Sequence, residues 1–254
     1  MEILKLKGKS ALITGGNSGI GFGIAKAVGL AGASVLIIGR NEEKNKRAIN
    51  ELTKLNIYCS AEKFDLSKYR KVPSFFEKIQ KKYGIFDILI NCAGTTIRKR
   101  ADLMTIDEWL SVIDTNLTST FVITTKWASS LIKKNKPGVC LIILSLMSEV
   151  ARPTTSAYGA SKSALRQLVK SFAVDWAKFN IRVNGISPGY IKTELTEPLY
   201  TNKQFAEWVV SRTPLGRWGC PDDIGPVAVF LCSNDAGFIT GHTIFVDGGF
   251  LASL

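Results

Sequence analysis

Short apolar runs of strand length alternate with longer segments of helical period along the whole chain, and this alternation limits the fold more than any other feature. The runs fall at 11–14, 35–38, 58–64, 87–91, 139–144, 181–186 and 243–246; the helical segments between them fall at 20–30, 42–55, 68–83, 105–133, 155–179 and 221–232. Strands this apolar have no wet face, so they belong in a parallel sheet covered by helices on both sides. The expected fold is α/β, a single-domain doubly wound Rossmann fold with a mostly parallel seven-stranded sheet. Helix starts agree locally: Thr105-Ile-Asp-Glu108 reads as a capping box, and Pro221 with Asp222 and Asp223 opens the last helix. No linker or repeat interrupts the pattern, so residues 1–254 are expected to form one catalytic domain.

A chain of 254 residues, 46% of them hydrophobic, fills one large core. Its longest apolar run, at 139–144 and carried on to Met147, is far short of the roughly 20 residues of a bilayer span. The N-terminus carries lysines but no apolar stretch with a small-residue cleavage site, which predicts a cytoplasmic protein without a membrane partner. Five cysteines without CxxC spacing and a single histidine, His242, exclude a zinc site and a disulfide framework, and no metal is expected. A Ser/His/Asp hydrolase would have to use His242, which lies far from any nucleophile motif. The net charge of +12 does not argue for nucleic acid, because the clusters Lys78, Lys81, Lys82 and Lys133, Lys134, Lys136 fall where helices should end and complement their dipoles. The rest of the positive field suits a phosphate-bearing cofactor or an anionic substrate.

The first chemical motif, Thr14-Gly15-Gly16-Asn17-Ser18-Gly19-Ile20-Gly21, joins the end of the first strand to a helix. A turn there lets the backbone approach a pyrophosphate, which free N–H groups and the positive helix end then meet. Arg40 ends the second strand where an Asp or Glu would bind a ribose 2'-hydroxyl. A guanidinium suits a 2'-phosphate instead, so NADP(H) is preferred and NAD(H) remains possible. In the second motif, Tyr158-Gly-Ala-Ser-Lys162, the i and i+4 positions share a helix face, and Ser145 ends an apolar strand upstream. An adjacent ammonium and a nicotinamide charge favour a phenolate, while Ser145 would donate a hydrogen bond to the same substrate oxygen.

In this order the motifs resemble those of the short-chain dehydrogenases/reductases over nearly the whole chain: the glycine turn at 14–21, Asp65-Leu66, Asn91-Cys92-Ala93-Gly94, Asn116, Ser145, Tyr158 with Lys162, Pro188-Gly189 with Thr193, and Asp247-Gly248-Gly249. The resemblance implies hydride transfer between nicotinamide and a substrate carbonyl carbon. Tyr158 would move the proton, Ser145 would polarise the oxygen, Lys162 would hold the ribose and lower the tyrosine pKa, and Asn116 would order a relay water. Gly15, Asn17, Ser18, Gly19, Ile20, Gly21, Arg40, Ala93 and Gly94 would bind coenzyme. Asp65 and Asn91 would line its adenosine side, Ile191 and Thr193 its nicotinamide amide, and Leu66, Pro188 and Gly189 would also bind it. Two departures are Ser18, where many NADP(H)-dependent members carry a basic residue, and Cys92, where a second Asn is usual.

Within the family, Ile97-Arg98, Ser145-Leu-Met-Ser-Glu149, 188–194 and 212–219 resemble sugar-acid and polyol enzymes of the gluconate 5-dehydrogenase type. This implies oxidoreduction of a secondary alcohol such as that of gluconate/5-ketogluconate. Arg98 would face a substrate carboxylate, Glu149 would accept bonds from sugar hydroxyls, and 194–211 would form a substrate lid. It also implies a homotetramer packed through the 105–133 and 155–179 helices and the last strand. One alternative is a 3-oxoacyl-carrier-protein reductase, disfavoured by Asn135 and Val174 where arginines commonly stand. Another is a catalytically idle binding scaffold, disfavoured by the intact Ser145, Tyr158 and Lys162 set.

Overall fold

The computed structural model describes residues 5–253. Its first strand, β1 (Ser10–Thr14), sends Ala11 and Ile13 to one core and Leu12 to another, and all three side chains are fully buried. The sheet is completed by β2 (Ser34–Gly39), β3 (Cys59–Lys63), β4 (Ile88–Asn91), β5 (Gly138–Ile143), β6 (Ile181–Pro188) and β7 (Thr243–Val246), in the order β3-β2-β1-β4-β5-β6-β7. Every neighbouring pair is parallel, so the sheet is wholly rather than mostly parallel.

Helices α1 (Gly19–Leu30), α2 (Glu42–Lys54) and α9 (Pro221–Cys232) cover one face, burying Ile24, Val28, Leu52, Ile224 and Leu231 against Ala11 and Ile13. The other face is covered by α3 (Val72–Tyr83), α5 (Ser119–Lys133) and α6 (Ser156–Trp176) through Phe76, Ile79, Ile123, Trp127 and Val169. The polar handle of Trp127 is satisfied where it is buried, Nε1 donating to the Phe86 carbonyl at 2.8 Å. Three short helices complete the fold: α4 (Ile106–Ile113), α7 (Glu197–Tyr200) and α8 (Lys203–Arg212).

Local chemistry explains the boundaries. Thr105 and Glu108 form the expected capping box at α4, with bonds of 3.2 and 2.8 Å. Pro221 opens α9, and the Asp223 carboxylate reaches back to the Cys220 N–H at 2.7 Å. Lys81 and Lys82 lie in the last turn of α3 and Lys133 in the last turn of α5.

The segment 105–133, read above as one helix, is broken into α4 and α5 by a wide π turn at Asp114–Thr118. The Ser119 and Thr120 hydroxyls donate to the Thr115 and Asn116 carbonyls, each at 2.7 Å, and such bonding back to i−4 bends helices. The turn places Asn116, fully buried, against the loop that follows β4. Because β1 and β4 are neighbours while the chain winds away from them in opposite directions, a crevice opens at their carboxyl ends.

Candidate active site

In that crevice lies a groove of about 500 Å³, within the size range of small-molecule and cofactor pockets. The glycine turn forms its floor. Gly19 adopts φ +52°, and a Cβ on Gly21 would stand 2.2 Å from the Gly15 carbonyl oxygen, so the helix approaches the strand only because that side chain is absent. Ser18 caps α1 through its backbone alone, and its side chain bonds none of the first-turn amides. Their N–H groups and the helix dipole therefore face the groove without a protein acceptor from the cap. Asn17 donates to Asn45 at 2.6 Å and Asn45 donates to the Gly39 carbonyl at 3.0 Å, which ties the turn to the end of β2.

Gly15, Asn17, Ser18, Gly19, Ile20, Gly21, Arg40, Asp65, Leu66, Ala93 and Gly94 all line this groove, as read from the sequence. Arg40 is exposed and has no ion-pair partner among the described residues. Asn91 departs from expectation. Its amide points away from the groove, donating to Thr124 Oγ1 at 2.9 Å, because the side-chain alternation of β4 turns it toward α5. Cys92 takes the groove-facing position in its place. The turn is pinned by Thr14, whose hydroxyl accepts from the Cys92 and Ala93 amides at 3.1 and 3.2 Å, and burial pushes the Cys92 thiol up to about 12. A cradle that a Cβ would fill, free helix-start amides and an unpaired arginine at the β2 end fit a nicotinamide dinucleotide with a 2'-phosphate.

A second cavity, about 120 Å³, adjoins the groove, and Ile20, Leu144, Tyr158, Thr193 and Leu195 line both. Ser145 stands where β5 ends, its Oγ accepting from the Met147 amide at 3.2 Å, so its own hydrogen remains free to donate. It lies within hydrogen-bonding reach of the Tyr158 phenol. One turn on along α6, Lys162 is buried with Nζ 5.6 Å from the Tyr158 ring centre, and it donates to the Ile143 carbonyl at 2.7 Å. Burial pushes the ammonium down to about 8. The Tyr158 phenol is likewise pushed up by burial, with Ser145 and Arg98 acting in the opposite direction. Desolvation thus outweighs the groups that lower the Tyr158 phenol, and Lys162, turned to the Ile143 carbonyl, is not among them.

Asn116 does not face the cavity with its amide. Its Nδ2 donates to the Thr95 carbonyl and Ser161 Oγ, each at 3.0 Å, and its Oδ1 accepts from the Thr95 amide at 2.8 Å. All of these bonds fasten the loop after β4 to α6. Pro188, Gly189, Ile191 and Thr193 line the second cavity beside Arg98, which is half-buried and whose Nη2 lies 3.4 Å from the Leu195 carbonyl. Glu149 does not line the cavity, and its carboxylate instead pairs with Arg166 of α6 at 2.5 Å. Residues 194–211 fold as a short turn, α7 and α8; Leu195, Thr196 and Leu199 line the cavity.

Sequence reading missed Lys44, which lines the groove and pairs with Glu194, and Arg152 and Tyr190, which line the cavity. Lys44 was detectable as a cation one turn beyond Arg40. Arg152 stood in a loop with no periodicity to aim it.

Fold and site together define a nicotinamide-dependent oxidoreductase of the doubly wound class. Residues 15–251 match the family model described as Enoyl-(Acyl carrier protein) reductase. The chain is 37% identical to 2-dehydro-3-deoxy-D-gluconate 5-dehydrogenase of Formosa agariphila, covering 100% of this chain and 97% of that protein. It is 36% identical to 5-keto-D-gluconate 5-reductase of Escherichia coli K12, covering 100% and 99%. The crystal structure of a gluconate 5-dehydrogenase from Burkholderia cenocepacia in complex with NADP and tartrate superposes with TM-score 0.94 at 36% identity, over 100% of this chain and 99% of that one. The chain belongs to the short-chain dehydrogenase/reductase family.

Proposed function

We propose that this protein interconverts a carbonyl and a secondary alcohol on a sugar acid of the gluconate/5-ketogluconate kind, with NADP(H) as preferred coenzyme. The observation that carries the reading is that Arg98 lines the same small cavity as Ser145 and Tyr158, and no Asp or Glu lines it. A neutral polyol leaves that guanidinium without a counter-charge, whereas a carboxylate supplies one in two-pronged geometry. The names of the relatives and the NADP and tartrate of the Burkholderia protein agree with it. A 3-oxoacyl-carrier-protein reductase accounts less well for a cation at the reacting end of the cavity. An idle scaffold has no need of the Ser145, Tyr158 and Lys162 arrangement.

The bound coenzyme supplies or accepts the hydride, and the chain's own residues handle everything else. Tyr158 gives its proton to the substrate oxygen in reduction and takes it back in oxidation, and Ser145 donates to the same oxygen. Lys162 uses one hydrogen on Ile143 and keeps two for the coenzyme ribose. Asn116, its side chain bound to Thr95 and Ser161, acts by holding Gly94 and Thr95 beside Lys162. Residues 194–211 serve as the lid that excludes water. The active form is a cytoplasmic homotetramer. Support comes from apolar residues left outside on the helices, Val174 80% and Phe121 45% exposed, and from five free thiols.

Two results are expected. Arg98→Ala should raise KM for 5-ketogluconate far more than for a neutral ketose, because only the acid uses the guanidinium; Arg98→Lys should restore part of the loss. Steady-state kinetics on the paired substrates decide it, and equal losses on both would remove the carboxylate role. The second concerns pH. Since burial holds Tyr158 above its ordinary range, the phenol keeps its proton through neutrality. Reduction, which consumes that proton, should hold its rate up to about pH 10, the ordinary value of a tyrosine phenol. Oxidation, which needs the phenolate, should rise over the same span. Profiles of kcat/KM in both directions from about pH 6 to about pH 10 test the sign, and an oxidation rate independent of pH would contradict it.

A further inference from the structure

Two guanidiniums, not one, face the substrate cavity. Arg152 lines it with Arg98, and the lining contains no carboxylate. Three other arginines each hold an acid: Arg100 pairs with Asp102, Arg166 with Glu149 and Arg217 with Asp223. Neither Arg98 nor Arg152 has an ion-pair partner among the described residues. Arg152 is nonetheless held in place. Its guanidinium lies 4.6 Å from the ring centre of Phe205 on α8, and it stands within reach of the Tyr190 phenol, whose ionisation its charge favours. Tyr190 is itself set by edge contacts to Phe205, Trp208, Trp218 and Phe250. Within this rigid setting Arg152 Nη1 is buried and bonds nothing, which is costly for a charged donor. Burial pushes the Arg98 guanidinium below its ordinary range, and the like charge of Arg152 adds to that push.

We propose that Arg152 is a specificity-determining residue that grips the substrate carboxylate together with Arg98, one guanidinium on each edge of the anion. The inference rests on the sugar-acid reading above and sharpens it. A single carboxylate offers about four lone-pair sites, enough for both arginines, and it offsets their mutual repulsion and accepts from the unpartnered Nη1 donor at once. In a cavity of about 120 Å³ whose other polar groups include Ser145 and Tyr158, the anion and the reacting carbonyl belong to one molecule. Both arginines also touch the 194–211 segment, Arg98 at the Leu195 carbonyl and Arg152 at Phe205, so the acid end of the substrate seats beneath it.

The test compares the unmodified enzyme, Arg152→Ala, Arg152→Lys, Arg98→Ala and the double alanine variant, each with NADPH, on 5-ketogluconate and fructose. Tartrate is titrated calorimetrically into the same proteins without coenzyme, and NADPH titration serves as the folding control. For Arg152→Ala, KM for 5-ketogluconate should rise roughly tenfold to a hundredfold more than KM for fructose, and tartrate should weaken comparably, since uniform binding is what is lost. Arg152→Lys should recover part of the loss and carries the test if the alanine variant does not bind NADPH. The double variant should lose less than the product of the single losses, because both groups hold one anion. Similar effects on acid and neutral substrate, or undiminished tartrate binding, would overturn the role of Arg152 while leaving the sugar-acid reading intact. An unmodified enzyme that turns over fructose and not 5-ketogluconate would overturn that reading itself, and the proposal with it.

Discussion

Replacing Tyr158 by Phe is expected to abolish nearly all turnover while leaving coenzyme binding close to normal. Only the hydroxyl is removed, so the ring keeps its place between groove and cavity. What disappears is the proton that must reach the substrate oxygen in reduction. No other group stands ready to provide it: Ser145 is an ordinary hydroxyl that has only a hydrogen bond to give, and the Lys162 ammonium is turned to the Ile143 carbonyl. Loss of general acid-base help costs roughly 10²- to 10⁴-fold in rate. The glycine cradle, Arg40 and the amides at the start of α1 are untouched, so NADPH should still bind. Stopped-flow turnover and a fluorescence titration with NADPH check the two halves. Near-normal turnover would take Tyr158 out of the chemistry, and loss of coenzyme binding would mean that the phenol had been structural.

The parts of this site that could be read from the sequence are those whose geometry is set within a few residues. Two glycines of the 14–21 turn carry their own reasons, since Gly19 adopts positive φ and Gly21 admits no Cβ. Tyr158 and Lys162 are fixed relative to one another by the helical period alone. Sheet membership was equally local, because an apolar run bounded by turn residues has few other places to go.

Other features were set by contacts between distant segments. Period-2 alternation says that Asn91 and Cys92 point to opposite faces, but which of them meets the groove depends on where β4 pairs with β1. Glu149 had a plausible partner in the substrate and a nearer one in Arg166, some way along α6. The break at Asp114–Thr118 had hydroxyls as its only sequence sign, and Ser and Thr within a helical pattern are too common to mark a π turn. Arg152 is the most consequential omission. Its aim into the cavity is decided by Phe205 and Tyr190, which lie some distance along the chain and are oriented by the aromatic cluster around Tyr190.

Coenzyme choice should turn on Arg40. Two cations stand near the mouth of the groove, but they are not equally available. Lys44 is already engaged by Glu194, whereas Arg40 is exposed and has no acidic partner among the described residues. The 2'-phosphate of NADPH would therefore meet Arg40 first, in the bidentate geometry that guanidinium and phosphate share. Since Ser18 offers no second cation at the glycine turn, the preference rests largely on this one side chain. Arg40→Asp removes the contact and sets a carboxylate against the phosphate, while offering the ribose 2'-hydroxyl of NADH an acceptor. Loss of the charge-assisted contact alone is worth roughly 1.5 to 3 kcal/mol, about a tenfold to hundredfold loss in NADPH affinity, and repulsion adds to it. The expected result is an unmodified enzyme that works better with NADPH than with NADH and a variant in which that order is erased or reversed. Glu194→Ala, which frees Lys44, should move the preference the other way. Dissociation constants for both coenzymes across the three proteins measure this directly. Equal affinity of the unmodified enzyme for NADH and NADPH would show that Arg40 reaches only solvent.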